Sequence, residues 1–93
     1  MPLLIDQIDL FIADLERRKF RHNTLSAYRS DLMIAARHLL RPIDQIALDD
    51  IEAFLASSNL SPATDARRTV SLRRFFGWAR KQGLCAHAPA PKS

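Results

Sequence analysis

Only two glycines, Gly77 and Gly83, occur in the 93 residues, and neither belongs to a dipeptide that closes a tight hairpin. Strand pairing therefore has no turn chemistry to build on. A single cysteine, Cys85, excludes an intrachain disulfide. The three histidines, His22, His38 and His87, are dispersed without metal-ligand spacing, so no structural zinc and no cofactor is expected. A glycine-rich phosphate loop and a nucleophile–base arrangement are also missing. No apolar run approaches the ~20 residues that cross a bilayer, and Asp6 and Asp9 stand where a secretory signal would be basic and then apolar. The reading is a cytoplasmic chain with no membrane partner. A chain this short makes one small domain that buries roughly 60–65% of its unfolded surface, which leaves little room for a catalytic pocket.

Negative charge is absent from the whole of the chain beyond Asp65. Residues 66–93 carry seven basic side chains and no acid, whereas the first 65 carry seven basic and ten acidic ones. The overall charge of +4 thus conceals a chain with one strongly basic end. An arginine-rich helix without carboxylates repels itself, and a polyanion lying along it removes that cost. Two readings stay open on charge alone: a nucleic-acid surface, or a solvated face that keeps a small domain soluble.

What is present is helical periodicity. Leu4, Ile8, Phe11, Ile12 and Leu15 recur on one face of a first helix. A second helix, about 23–40, aligns Leu25, Tyr28, Leu32, Ala35, Ala36 and Leu39, with either Asn23 as its N-cap or a start one or two residues earlier. Arg41-Pro42 closes it, because proline lacks an amide hydrogen and restricts its predecessor. A loop follows. The third helix, about 48–56, is expected to bury Leu48, Ile51, Phe54 and Leu55. Its first-turn acids Asp49, Asp50 and Glu52 suit the helix dipole and are read as structural.

Ser61-Pro62 starts a fourth helix, with serine as N-cap and proline in the first turn, running to about Gln82 before Gly83 ends it. Its inward side is predicted to hold Asp65, Thr69, Leu72, Phe75, Phe76, Ala79 and Gly83. Arg67, Arg74 and Lys81, spaced by seven, form a basic rail opposite, about 20 Å long, flanked by Arg73 and Arg80. Such a rail suits a duplex backbone or groove rim better than a point-like acidic partner. Trp78 falls at the boundary of the two faces, either packed on the first or second helix or available as an anchor for another domain or protomer.

The segment Thr24-Leu-Ser-Ala-Tyr28-Arg-Ser-Asp31-Leu32 resembles the "T, three residues, Y, two residues, D-L" signature of the amino-terminal core-binding domain of tyrosine site-specific recombinases and phage-type integrases. Thr64 to Trp78 looks like that domain's fourth helix, and Leu48, Ile51, Phe54 and Leu55 match its third. The resemblance runs from about Leu4 to Lys92. It implies an all-α fold, a compact four-helix bundle of the SAM-like core-binding kind. It also implies a role in clamping one face of a duplex recombination site, where other protomers of the recombinase bind too, so that the chain is nucleoid-associated when on DNA.

In that family a larger carboxy-terminal domain performs strand cleavage and rejoining with a tyrosine nucleophile. This chain alone is therefore expected not to be an enzyme, and Tyr28 matches the packing tyrosine of the second helix. Residues 1–86 are expected to form the clamp domain and 87–93 a tail or the start of a linker. The family's usual asparagine before proline is missing from His87-Ala88-Pro89-Ala90-Pro91-Lys92.

Because family members present the second and fourth helices to DNA, the expected contacts are Arg21, His22, Asn23, Thr24 and Arg29 on the second helix. On the fourth they are Arg67, Arg68, Arg73, Arg74 and Lys81. Other readings exist for some of these: Arg29 as a surface salt bridge, Arg68 as a side chain packed beside the core, and Asp31 as a structural partner between helices. The alternative function is a protein-interaction bundle docking a partner helix on Trp78 and Phe75.

Overall fold

A computed structural model describes residues 2–57, 61–87 and 89. Four α-helices occur among them: α1, Leu4–Arg17; α2, His22–His38; α3, Leu48–Ser57; and α4, Pro62–Lys81. A single 3-10 turn, Ile43–Gln45, lies between α2 and α3. The architecture is the all-α, four-helix bundle expected. Of the expected tail, Ala88 and residues 90–93, which include Pro91 and Lys92, lie outside the described residues.

The apolar stripe of α1 is buried as its spacing dictates, at Leu4, Ile8, Phe11, Ile12 and Leu15. It meets the α2 stripe of Leu25, Tyr28, Leu32, Ala35 and Ala36. Tyr28 is buried, in keeping with a packing role. From α4 come Thr69, Leu72, Phe75, Phe76 and Ala79, while Asp65 and Gly83, expected to face inward, are exposed. Phe75 occupies the centre of an aromatic cluster. Its ring lies edge-on to Phe11 at 5.4 Å and to Phe76 at 5.3 Å, and tilted against Trp78 at 5.8 Å.

The helix ends follow from local chemistry. Ser61 Oγ accepts from the Thr64 amide at 3.3 Å, which is the predicted cap of α4. At its other end Gly83, with φ 78°, is the left-handed residue of a Schellman closure. There the Gly83 amide donates to Arg80 O and the Leu84 amide to Ala79 O. The same closure ends α1, with Lys19 donating to Glu16 O and Phe20 to Leu15 O. Here a lysine holds the left-handed position, at φ 64°, a conformation that costs a side-chain-bearing residue roughly 1–2 kcal/mol.

α2 begins one residue before Asn23, so Arg21 holds the cap position, and it ends at His38, three residues ahead of Arg41. The intervening loop is less open than its sequence suggests, because Ile43 and Ile46 are buried. The Ile43 amide donates to Pro2 O at 2.9 Å, tying the loop to the start of the chain. In α3, Ile51 and Phe54 are buried and Leu55 is half-buried, but Leu48 is 39% exposed, contrary to expectation. Of its first-turn acids Asp50 is structural, accepting from the Ala47 amide at 2.9 Å.

Candidate nucleic-acid interface

Two inter-helix contacts set the geometry. Arg29 of α2 pairs with Asp9 of α1, and Asp31 of α2 is paired with the first half of α4. Arg74, further along α4, lies over the Phe20 ring in the turn preceding α2, 5.4 Å from its centroid. α2 and α4 are therefore antiparallel, and the start of α2 lies beside the middle of α4.

The start of α2 is unlike the other helix starts. Asp6 serves α1, Asp49 and Asp50 serve α3, and Ser61 with Asp65 serves α4. α2 has no acid in its first turn and no side-chain cap. Its positive dipole end carries Arg21, His22 and Asn23, all exposed, and half-buried Thr24. Amides at a helix start with no acid of their own are suited to an anion.

On α4 the sequence-derived rail divides into two parts. Arg74 and Lys81 are exposed along the second half of the helix, as is Arg73. Arg67 is instead committed to Asp31 by a bidentate fork, Nε to Oδ2 at 2.9 Å and Nη2 to Oδ1 at 2.8 Å. Ser71 Oγ donates to Asp31 Oδ2 at 3.0 Å, and Arg68 Nε approaches Oδ1 at 3.4 Å without forming a hydrogen bond. The Asp31 side chain is 1% exposed, that of Arg68 12% and that of Arg67 46%. The fork holds the Arg67 guanidinium above its already high ordinary pKa, so it stays charged. Asp31 is thus the helix-pairing residue that one sequence reading gave it, and Arg68 packs beside the core.

Two cations that sequence reasoning passed over, Arg18 and Lys19, join this region from the end of α1. The run Glu16-Arg17-Arg18-Lys19 was the available signal, since basic residues commonly gather at a helix C-terminus. Arg18, Arg74 and Lys81 line a cleft of about 190 Å³ between α1 and α4, with Phe11, Leu15, Trp78 and Gly77. Asp14 is the acid in it. A hydrogen bond from Arg17, with Arg18 and Lys81 nearby, holds its carboxyl below the ordinary carboxylate range against the opposing effect of burial. Trp78 is half-buried, its ring 5.6 Å from that of Phe11, so it packs on α1.

The described residues offer little for bond-making chemistry. No group of three or more metal-ligating side chains occurs among them. Asp44, Cys85 and His87 share a separate groove. Burial, followed by the Asp44 carboxylate, pushes the Cys85 thiol above its ordinary pKa, the reverse of what activates a cysteine. Among the described residues no helix is long and apolar enough to cross a membrane.

Comparison with known proteins agrees with this geometry. The family model "Phage integrase, N-terminal SAM-like domain" matches residues 8–83. A tyrosine recombinase XerC of Bifidobacterium longum subsp. infantis is 40% identical over 91 residues, covering 89% of this chain and 25% of that protein. A XerC of Roseiflexus sp. is 30% identical, covering 94% of this chain and 30% of the relative. A tyrosine recombinase XerD of Ralstonia nicotianae is 36% identical over 73 residues, 72% of this chain and 23% of the relative. No solved structure matches. The chain spans about a quarter to three-tenths of the length of these relatives. A match over most of its length, to relatives at this level of identity, makes it a member of the phage-integrase N-terminal SAM-like domain family, the core-binding domain of tyrosine recombinases.

Proposed function

We propose that this chain binds duplex DNA with little sequence selectivity, as the N-terminal clamp of a tyrosine recombinase whose strand cleavage and rejoining are carried out by residues outside it. Residues 1–86 form the clamp and 87–93 a tail or the start of a linker, and other protomers on the same recombination site are its protein partners. The observation that carries this reading is the meeting of an acid-free helix start, at Arg21 to Thr24, with the exposed Arg74 of α4, which shares its cleft with Lys81. Phosphate oxygens are the ligand class that takes both free helix amides and several arginine forks at once. Docking of a partner helix on Trp78 and Phe75 has less support, because Phe75 is fully buried and Trp78 is spent on Phe11.

Fluorescence anisotropy with short duplexes of unrelated sequence tests the reading. If three to five side chains neutralise phosphates, log affinity falls against log salt with a slope of about −3 to −5. Arg74→Ala weakens binding to all sequences nearly equally if Arg74 meets phosphate. If it reads a guanine edge, the loss is confined to one base pair and amounts to about 1–3 kcal/mol. Binding that is absent at low salt, or insensitive to salt, removes DNA as the partner.

A further inference from the structure

Two positions in this domain carry residues that their own backbone disfavours: Gly77 lines the cleft between α1 and α4, and Lys19 follows directly on Arg18, which lines it too. Gly77 lies inside α4, four residues before its last residue, Lys81, and glycine is among the poorest helix formers. Packing does not require it, since a Cβ built there meets nothing within 4 Å. Lys19 holds the left-handed closure of α1, where glycine is the favoured residue. Its neighbours are Arg18, which lines the cleft, and Phe20, which carries Arg74. When local preference is violated without a gain inside the fold, the gain is sought at a binding surface.

Resting on the DNA reading above, we infer that the sugar–phosphate backbone of the duplex crosses the domain at Gly77, where the missing side chain lets it approach α4 most closely. Gly77 lies three residues after Arg74 and four before Lys81, so the three share one helix face. Arg18 faces them across the cleft from the end of α1, and the exposed Lys19 is the next residue in the chain. With Asp14 counted, the cleft lining of Arg18, Arg74 and Lys81 keeps a net charge of +2, the complement of a polyanion. A glycine at a point of close backbone approach leaves the phosphates within reach of both flanking cations. A methyl group in its place holds the strand away from both together.

The test uses two substitutions that favour the fold. Gly77→Ala and Lys19→Gly are each expected to raise the thermal midpoint of the chain while weakening duplex binding. For Gly77→Ala the loss is at least about fivefold at unchanged salt slope, because no charge is removed. Gly77→Gln weakens binding further. For Lys19→Gly the slope falls by about one, as expected for one lost phosphate contact. A raised midpoint with unaltered affinity in Gly77→Ala overturns the inference and leaves the DNA reading standing. Failure of the unsubstituted chain to bind duplex at low salt overturns both.

Discussion

Phe75→Ala is expected to lower the stability of the chain by about 3–5 kcal/mol, the usual range for truncating a fully buried phenylalanine. Phe75 is 0% exposed, and its ring contacts Phe11 of α1 and Phe76 and Trp78 of its own helix. The cavity left by the ring would open where α1 and α4 meet, so neither helix can close it by a rotamer change alone. A domain of this size has only a few kcal/mol more than that to lose. Urea unfolding followed by circular dichroism should show a sharply lowered midpoint, or a chain already partly unfolded in buffer. A loss below about 1 kcal/mol would mean that the aromatic cluster is not the centre of the core.

Asp31→Ala is expected to cost about 2–4 kcal/mol, and Arg67→Ala only about 1, although the two residues form one ion pair. The asymmetry follows from burial. Without Asp31, Arg68 loses the carboxylate 3.4 Å from its Nε, and the single proton of the buried Ser71 hydroxyl, shared at 3.0 Å between Asp31 Oδ2 and Arg67 O, keeps Arg67 O alone. Without Arg67, Asp31 keeps Ser71, and Arg68 needs to move little to close its 3.4 Å gap. Equal losses in the two variants, measured by the same unfolding experiment, would show that Arg68 plays no part in holding Asp31.

These two residues also mark what could be read from the sequence. Phe75 was legible because helical period alone places it with Leu72, Phe76 and Ala79, and period is a local property. The caps at Ser61 and Gly83 were legible for the same reason. The role of Arg67 was not, because a spacing of seven gives the direction of a side chain and not its partner. That partner lies 36 residues away on another helix. Ser71 escaped notice likewise, its burial depending on the same carboxylate.

Ile43 and Ile46 lie in a short loop with no period to betray them, and Leu48 follows the α3 pattern yet sits at its exposed end. For the proposed interface, composition pointed to the end of the chain, whereas the fold brings Arg18, from the end of α1, onto the cleft of Arg74 and Lys81. A turn with lysine in a glycine position leaves no mark in a sequence read one residue type at a time.

The central claim is that one face, made by the end of α1, the start of α2 and the second half of α4, holds duplex DNA. Its most direct test is a titration of the isotopically labelled chain with a short duplex, followed by backbone amide resonances. The expected result is a set of salt-sensitive shifts confined to Arg18 through Thr24 and Arg74 through Lys81, with α3 and the Ile43–Gln45 turn unmoved. Shifts centred on α3, or none at low salt, would contradict it.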